Sequence, residues 1–145
     1  FDSTSAATAW SANGRHIYYS RGGRSIYRIA ADGSGVIDSL TDVMDNGAGD
    51  MEATPDGRGL VARYFRRGSF DRDIAFVPLD GSAARPVLAS AASETAPHVS
   101  PDGQWLAYAS DESGQYQVYV RRLSEGSGRW QASRSGGATP RWSLN

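Results

Sequence analysis

Val99-Ser100-Pro101-Asp102-Gly103-Gln104-Trp105-Leu106-Ala107-Tyr108-Ala109 holds, in order, the end of one strand, a tight turn and the start of another. A hydroxyl residue closes the first strand. Pro101 presets φ at the second turn position, Asp102 takes the third, and Gly103 supplies the left-handed backbone that ends a type I hairpin of this kind. The alternating apolar run behind it reads as a second strand.

The stretch recurs. Ala53-Thr54-Pro55-Asp56-Gly57-Arg58 lies 46 residues earlier, Trp10-Ser11-Ala12-Asn13-Gly14-Arg15 another 43 earlier, and Trp142-Ser143-Leu144-Asn145 opens a fourth copy 43 residues beyond Val99. Asn13, Gly14, Pro55, Asp56, Gly57, Pro101, Asp102 and Gly103 are therefore structural turn residues. Apolar second strands follow at 16–19, 60–64 and 105–109, and third strands at 26–29, 74–77 and 118–120. Turns at Asp32-Gly33, Asp80-Gly81 and Ser124-Glu125-Gly126 lead to fourth strands at 36–40, 85–88 and 130–133. Helical periodicity is hard to find anywhere.

Four short antiparallel strands in a period of this length are the signature of a propeller blade. The predicted fold is all-β: a β-propeller fragment of three four-stranded antiparallel blades, at about 5–41, 50–89 and 95–134, plus the first strand of a fourth at 138–145. A blade cannot bury both of its faces alone, so neighbours supply the core. Three blades leave two faces open, and at about 500 Å² of apolar surface each the forgone stabilisation approaches 12 kcal/mol per face. Those faces need partners, either further blades of the same chain or a second copy. The tail favours further blades, because Arg141-Trp142-Ser143 would claim the inner position that Ala9-Trp10-Ser11 of a second copy also needs.

Composition narrows the function classes. The chain has 145 residues, 15 cationic side chains, all arginine, and 16 acidic ones. A near-zero net charge argues against nucleic-acid or anionic-membrane binding driven by bulk charge. No cysteine is present, which removes disulfides and thiolate metal sites and leaves the redox compartment undefined. No run approaches the roughly 18 apolar residues of a membrane span, so no membrane insertion is expected in this segment. Phe1 opens the sequence with no charged and apolar leader behind it, so either the front was removed by processing or this is an excised piece.

The residues offer little for catalysis, and no cofactor is expected. There is no G-x-S-x-G nucleophile elbow, and Gly33-Ser34-Gly35 falls in a strand-to-strand turn. His16 and His98 sit in strands of different repeats without metal-ligand spacing. Asp42, Asp45 and Asp50 lie in an oxygen-rich stretch that is a weak candidate for a hard cation. The EF-hand offsets fail there, with Met44 third and Ala53 twelfth, and a solvated inter-blade loop is the alternative. The loop 63–72 mixes aromatics with guanidinium groups; Arg66, Arg67, Phe70 and Arg72 suit an anion or an acidic peptide, or else form a solvent loop neutralised by Asp71 and Asp73. In blade topology this loop shares a face with Asp111, Glu112 and the inter-blade links, and that rim is the expected partner surface. Tyr18, Tyr27, Tyr108, Tyr119 and Trp105 recur at equivalent blade positions, which packing between blades explains better than a ligand platform.

With Ser100-Pro101-Asp102-Gly103 and its relatives, each followed by an apolar strand, and with Gln117-Val118-Tyr119-Val120, nearly the whole chain resembles the WD-like propeller repeats of the TolB type. The third repeat, through Ser110-Asp111-Glu112-Ser113-Gly114, Gly128-Arg129-Trp130-Gln131-Ala132-Ser133 and Gly136-Gly137-Ala138-Thr139-Pro140-Arg141-Trp142-Ser143, is similar to the propeller segment of bacterial serine/threonine protein kinases. The first repeat departs from the pattern at Asn13 and lacks the turn proline, and the second lacks the aromatic before Thr54. The resemblance implies a non-catalytic module binding or sensing a protein or small ligand, part of a larger bacterial protein, with any catalytic domain outside this sequence. It also implies an extracytoplasmic place, periplasmic or at the cell surface. Related propellers gate prolyl-oligopeptidase-type serine peptidases or stand alone as periplasmic envelope scaffolds, so fold is implied more firmly than function.

Overall fold

The computed structural model describes residues 8–21, 25–41, 48–124 and 128–143. They form three four-stranded antiparallel sheets, each built from consecutive strands in chain order. The first contains β1 (Thr8–Trp10), β2 (His16–Arg21), β3 (Ser25–Ala30) and β4 (Ile37–Thr41). The second contains β5 (Ala48–Ala53), β6 (Gly59–Phe65), β7 (Arg72–Pro78) and β8 (Arg85–Leu88). The third contains β9 (Glu94–Val99), β10 (Trp105–Ser110), β11 (Gln117–Arg122) and β12 (Arg129–Gln131). No helix occurs among the described residues.

The turn that fixed the repeat is built three times from the same bonds. Gly14, Gly57 and Gly103 have φ of 69°, 68° and 73°. Their amides donate to the carbonyls of Ser11, Thr54 and Ser100 at 2.8–2.9 Å. The hydroxyl that opens each turn has a double role. It donates to the carboxylate or amide oxygen of Asn13, Asp56 or Asp102, and it accepts from the amide of His16, Gly59 or Trp105 across the hairpin mouth. The Asn/Asp oxygen also takes the amide of Arg15, Arg58 or Gln104 at 3.0 Å. Each turn is thus closed by side chains as well as backbone, and asparagine serves as well as aspartate.

The sheets stack through two apolar clusters. Along β6 and β7 successive side chains alternate sides. Leu60, Ala62, Ala75 and Val77 face Tyr18 and Ile26 of the first sheet, while Val61 and Ile74 meet Val99, Leu106, Tyr108 and Tyr119 of the third. The middle blade is therefore sandwiched. The first sheet has one covered face only. On the other, ladder partners Trp10, Ile17, Ile29 and Ile37 form a cross-strand row, Tyr19 stacks on Tyr27 at 5.5 Å, and Trp10 and Ile37 remain 61% and 52% exposed.

The far side of the third sheet is treated differently. Residues 132–143 fold back over it: Gly137 donates to the Tyr116 carbonyl, Gly136 to the Gln117 side chain, and Trp142 Nε1 to the His98 carbonyl at 2.9 Å. Trp142 occupies the repeat position of Trp10, but it is half-buried. Residues 138–143 carry no ladder, since a first strand pairs with the second strand of its own sheet, which residues 1–145 do not include.

The innermost strands carry a repeated irregularity. The β5–β6 register shifts between Gly49 and Met51, and the β9–β10 register shifts between the partners of Ala107 and Ala109. Asp50, Ala96 and Thr139 adopt φ of 28°, 49° and 50°, each four residues ahead of the turn hydroxyl of its repeat. These are β-bulges at one repeat position, held in a backbone region that ordinary residues avoid.

Two outcomes follow from this packing. The hydroxyl of Ser100, then the amide of Gln104, holds Asp102 below the usual carboxylate range. Its share of stability is whole above the unfolded carboxylate pKa of about 4 and is lost as pH falls through the depressed folded value. Asp102→Ala lowers the melting temperature by roughly a few degrees, whereas Asp102→Asn, the residue the first repeat uses, holds it near neutral pH and flattens the acid limb; scanning calorimetry across pH checks both. The bare row on the first sheet makes the isolated chain self-associate, and Trp10→Ser with Ile37→Ser reduces this in sedimentation velocity; a parent chain that is monodisperse and monomeric contradicts it.

Candidate functional site

The rim expected from the sequence is a real face of the molecule. The β6–β7 loop, the β10–β11 loop and the link 89–93 meet there, joined by hydrogen bonds from Arg66 to the carbonyls of Ser90 and Ala92 and from the Ser93 amide to Asp111 Oδ1. Asp42 and Asp45 lie outside the described residues.

Most of the ionic side chains on this face are tied to other parts of the fold. Arg66 forks onto Asp73, with Nη2 to Oδ1 at 2.6 Å and Nε to Oδ2 at 3.2 Å, and Asp73 is 3% exposed. Arg72 donates to the Tyr116 hydroxyl at 3.4 Å, and its guanidinium lies 5.6 Å from the Phe65 ring centre. Arg63 lies 5.2 Å from the same centre, so Phe65 is flanked by two cations. Glu112 pairs with Arg129 at 2.5 Å across its own blade. Arg67 is exposed, and Phe70, at the loop tip, is 94% exposed.

Beneath the rim sits Glu94, 2% exposed, whose Oε1 accepts from the Ser90 hydroxyl while Oε2 has no hydrogen-bond partner. Burial pushes its carboxyl up; the Ser90 bond opposes this, the Asp73 charge adds to it and Arg66 opposes it. Tyr108, stacked on Tyr119 at 5.9 Å, is pushed up to about 12 by burial and stays a neutral phenol.

The inner strands β1, β5 and β9, with residues 138–141, line a cavity of about 610 Å³ where a propeller has its channel. Asp50, the described member of the acidic stretch, reaches into it but is engaged by Arg63 Nε and Thr95 Oγ1, both at 3.0 Å. Gly49 lacks a side chain for a steric reason, since a Cβ there would lie 1.9 Å from Arg63 Nη2. Glu52 accepts from the Val99 amide at 2.6 Å and pairs with His98 Nδ1 at 3.3 Å, tying β5 to β9. Among the described residues no group of three His, Cys, Asp or Glu side chains converges as for a metal ion. Gly33-Ser34-Gly35 is an Asx turn, with the Ser34 amide on Asp32 Oδ1.

Sequence reading missed the inter-blade ties of Asp50 and Glu52 and the buried Glu94. The only local signal for the first was Gly49 ahead of a carboxylate, and the Arg63 and Thr95 that complete it lie far along the chain.

No family model matches the chain, and no curated protein matches it. Its backbone is similar to that of TolB from Acinetobacter baumannii, at 18% identity and TM-score 0.70 over 90% of this chain and 32% of that one. It is similar to the tricorn protease at 15% identity and TM-score 0.66 over 84% of this chain and 14% of that one. A chain of the nidogen/laminin complex matches at 14% identity and TM-score 0.73 over 94% of this chain and 50% of that one. The fold is that of a TolB-like β-propeller, and this chain spans a half or less of each of these structures.

Because the folded state raises the pKa of Glu94, ionising it costs stability, which falls as pH rises from the unfolded to the folded value and then levels off. Glu94→Gln, which keeps the acceptor for Ser90, is more stable than the parent at neutral pH and loses that slope; urea titrations at several pH values read both effects, and a destabilised variant refutes the assignment.

Proposed function

We propose that this chain is a non-catalytic propeller module that binds or senses a protein or small ligand through its loop face or channel, within a larger bacterial protein of the kinase-associated type. The observation that carries this reading is the employment of the rim's charges. Arg66, Arg72, Asp111 and Glu112 are each bound to another part of the fold, so the face is a preorganised platform rather than a set of groups poised to move protons. The similarity of the third repeat to kinase-associated propellers supports the larger context. Any catalytic domain belongs outside this sequence.

A gating propeller of a serine peptidase is the second reading, in keeping with the backbone likeness to the tricorn protease. A G-x-S-x-G strand-turn-helix in the flanking coding region decides for it; kinase Gly-rich and catalytic-loop motifs with a membrane span decide for the first; a signal peptide with no catalytic domain points to an envelope scaffold. The purified chain turns over neither a nitrophenyl ester nor a chromogenic peptide, and turnover lost on replacing a single serine overturns the non-catalytic reading.

A further inference from the structure

A lone exposed apolar residue is ordinary on a protein surface, and Phe70 is set apart by how its backbone is held. The Arg66 amide donates to the Asp71 carbonyl at 2.9 Å and the Ser69 amide to the Arg66 carbonyl at 3.1 Å. Gly68 makes the reversal at φ 74°. Ser69 Oγ donates to Asp71 Oδ2 at 2.7 Å and accepts from the Asp71 amide at 2.9 Å, so both neighbours of Phe70 are locked to each other. The base of the loop is anchored by the fork of Arg66 onto Asp73 and its bonds to the link carbonyls of Ser90 and Ala92. The chain has met the entropy of ordering this loop and then placed a phenyl ring at its tip, 94% exposed.

We propose that Phe70 is the anchor of a protein-docking surface on the loop face, inserting into an apolar pocket of a folded partner whose rim is acidic toward the exposed Arg67. The inference rests on the binding-module reading and specifies where that binding occurs. Burying a phenylalanine ring yields roughly 2–3 kcal/mol, and on a preordered loop little of that is lost to ordering on binding, which is how a single central aromatic dominates an interface. The same energy is too small to hold the chain on a membrane by itself, and Asp71, Asp111 and Glu112 on this face disfavour an anionic lipid surface.

The test places the photoreactive residue p-benzoylphenylalanine at position 70 of the full chain, and at Gln115 as a control on the neighbouring loop. After irradiation in an extract of the source cells, the adduct is identified and that protein is purified. Its affinity is then measured for the parent, Phe70→Ala and Phe70→Trp. The expected result is an adduct from position 70, a loss of at least about tenfold for Phe70→Ala, recovery with Phe70→Trp, and unchanged melting, since the ring supports nothing in the fold. Unchanged affinity for Phe70→Ala, with an adduct only from position 115, overturns the anchor while leaving the binding module standing. No adduct from either position overturns both. Cross-linking to a second copy of the chain, or co-sedimentation of the parent but not Phe70→Ala with phosphatidylcholine vesicles containing phosphatidylserine, overturns the partner class.

Discussion

A four-stranded sheet with apolar side chains on both of its faces has to be covered twice, and everything else in this molecule follows from that requirement. Alternation along β6 and β7 sends Leu60, Ala62, Ala75 and Val77 one way and Val61 and Ile74 the other, so the middle blade has no solvent face of its own. The hydrophobic core is consequently two seams between sheets rather than one centre. Each seam draws on residues dozens of positions apart, and neither sheet bordering it could keep its geometry without the other.

Polar groups then fix the spacing that apolar contact leaves loose. Asp50 spans Arg63 and Thr95, Glu52 holds the Val99 amide and His98, and Arg66 gathers Asp73 with the link carbonyls. Arg121 reaches the Val87 carbonyl from the next sheet at 3.1 Å. The use of arginine alone for positive charge suits this architecture, since a planar fork can satisfy a carboxylate and carbonyls together, as Arg66 does.

The sheets and turns were legible in the sequence because they are local. A hydroxyl residue, Asn or Asp two positions on, and glycine next dictate a hairpin with its closing bonds, and the period between hairpins dictates the strands. Even Asn13, which looked like a departure, makes the bonds of Asp56 and Asp102. The rim was legible as a place but not as chemistry: Arg66, Arg72, Asp111 and Glu112 were visible as charges, while their partners Asp73, Tyr116, the Ser93 amide and Arg129 could be assigned only once strands were set side by side. Glu94 was opaque for the same reason, since its burial is conferred by two neighbouring blades and by nothing in its own segment.

The left-handed residues of the inner strands have a further effect. An uncovered strand edge facing a lumen would be a template onto which any extended segment could zip, giving the channel an indiscriminate appetite for unfolded chain. Asp50 and Ala96 break the run of outward-pointing amides and carbonyls midway along β5 and β9, and Thr139 repeats the break at the same place in the next repeat. Such a wall refuses backbone pairing, so whatever enters is selected by the side chains that project from it.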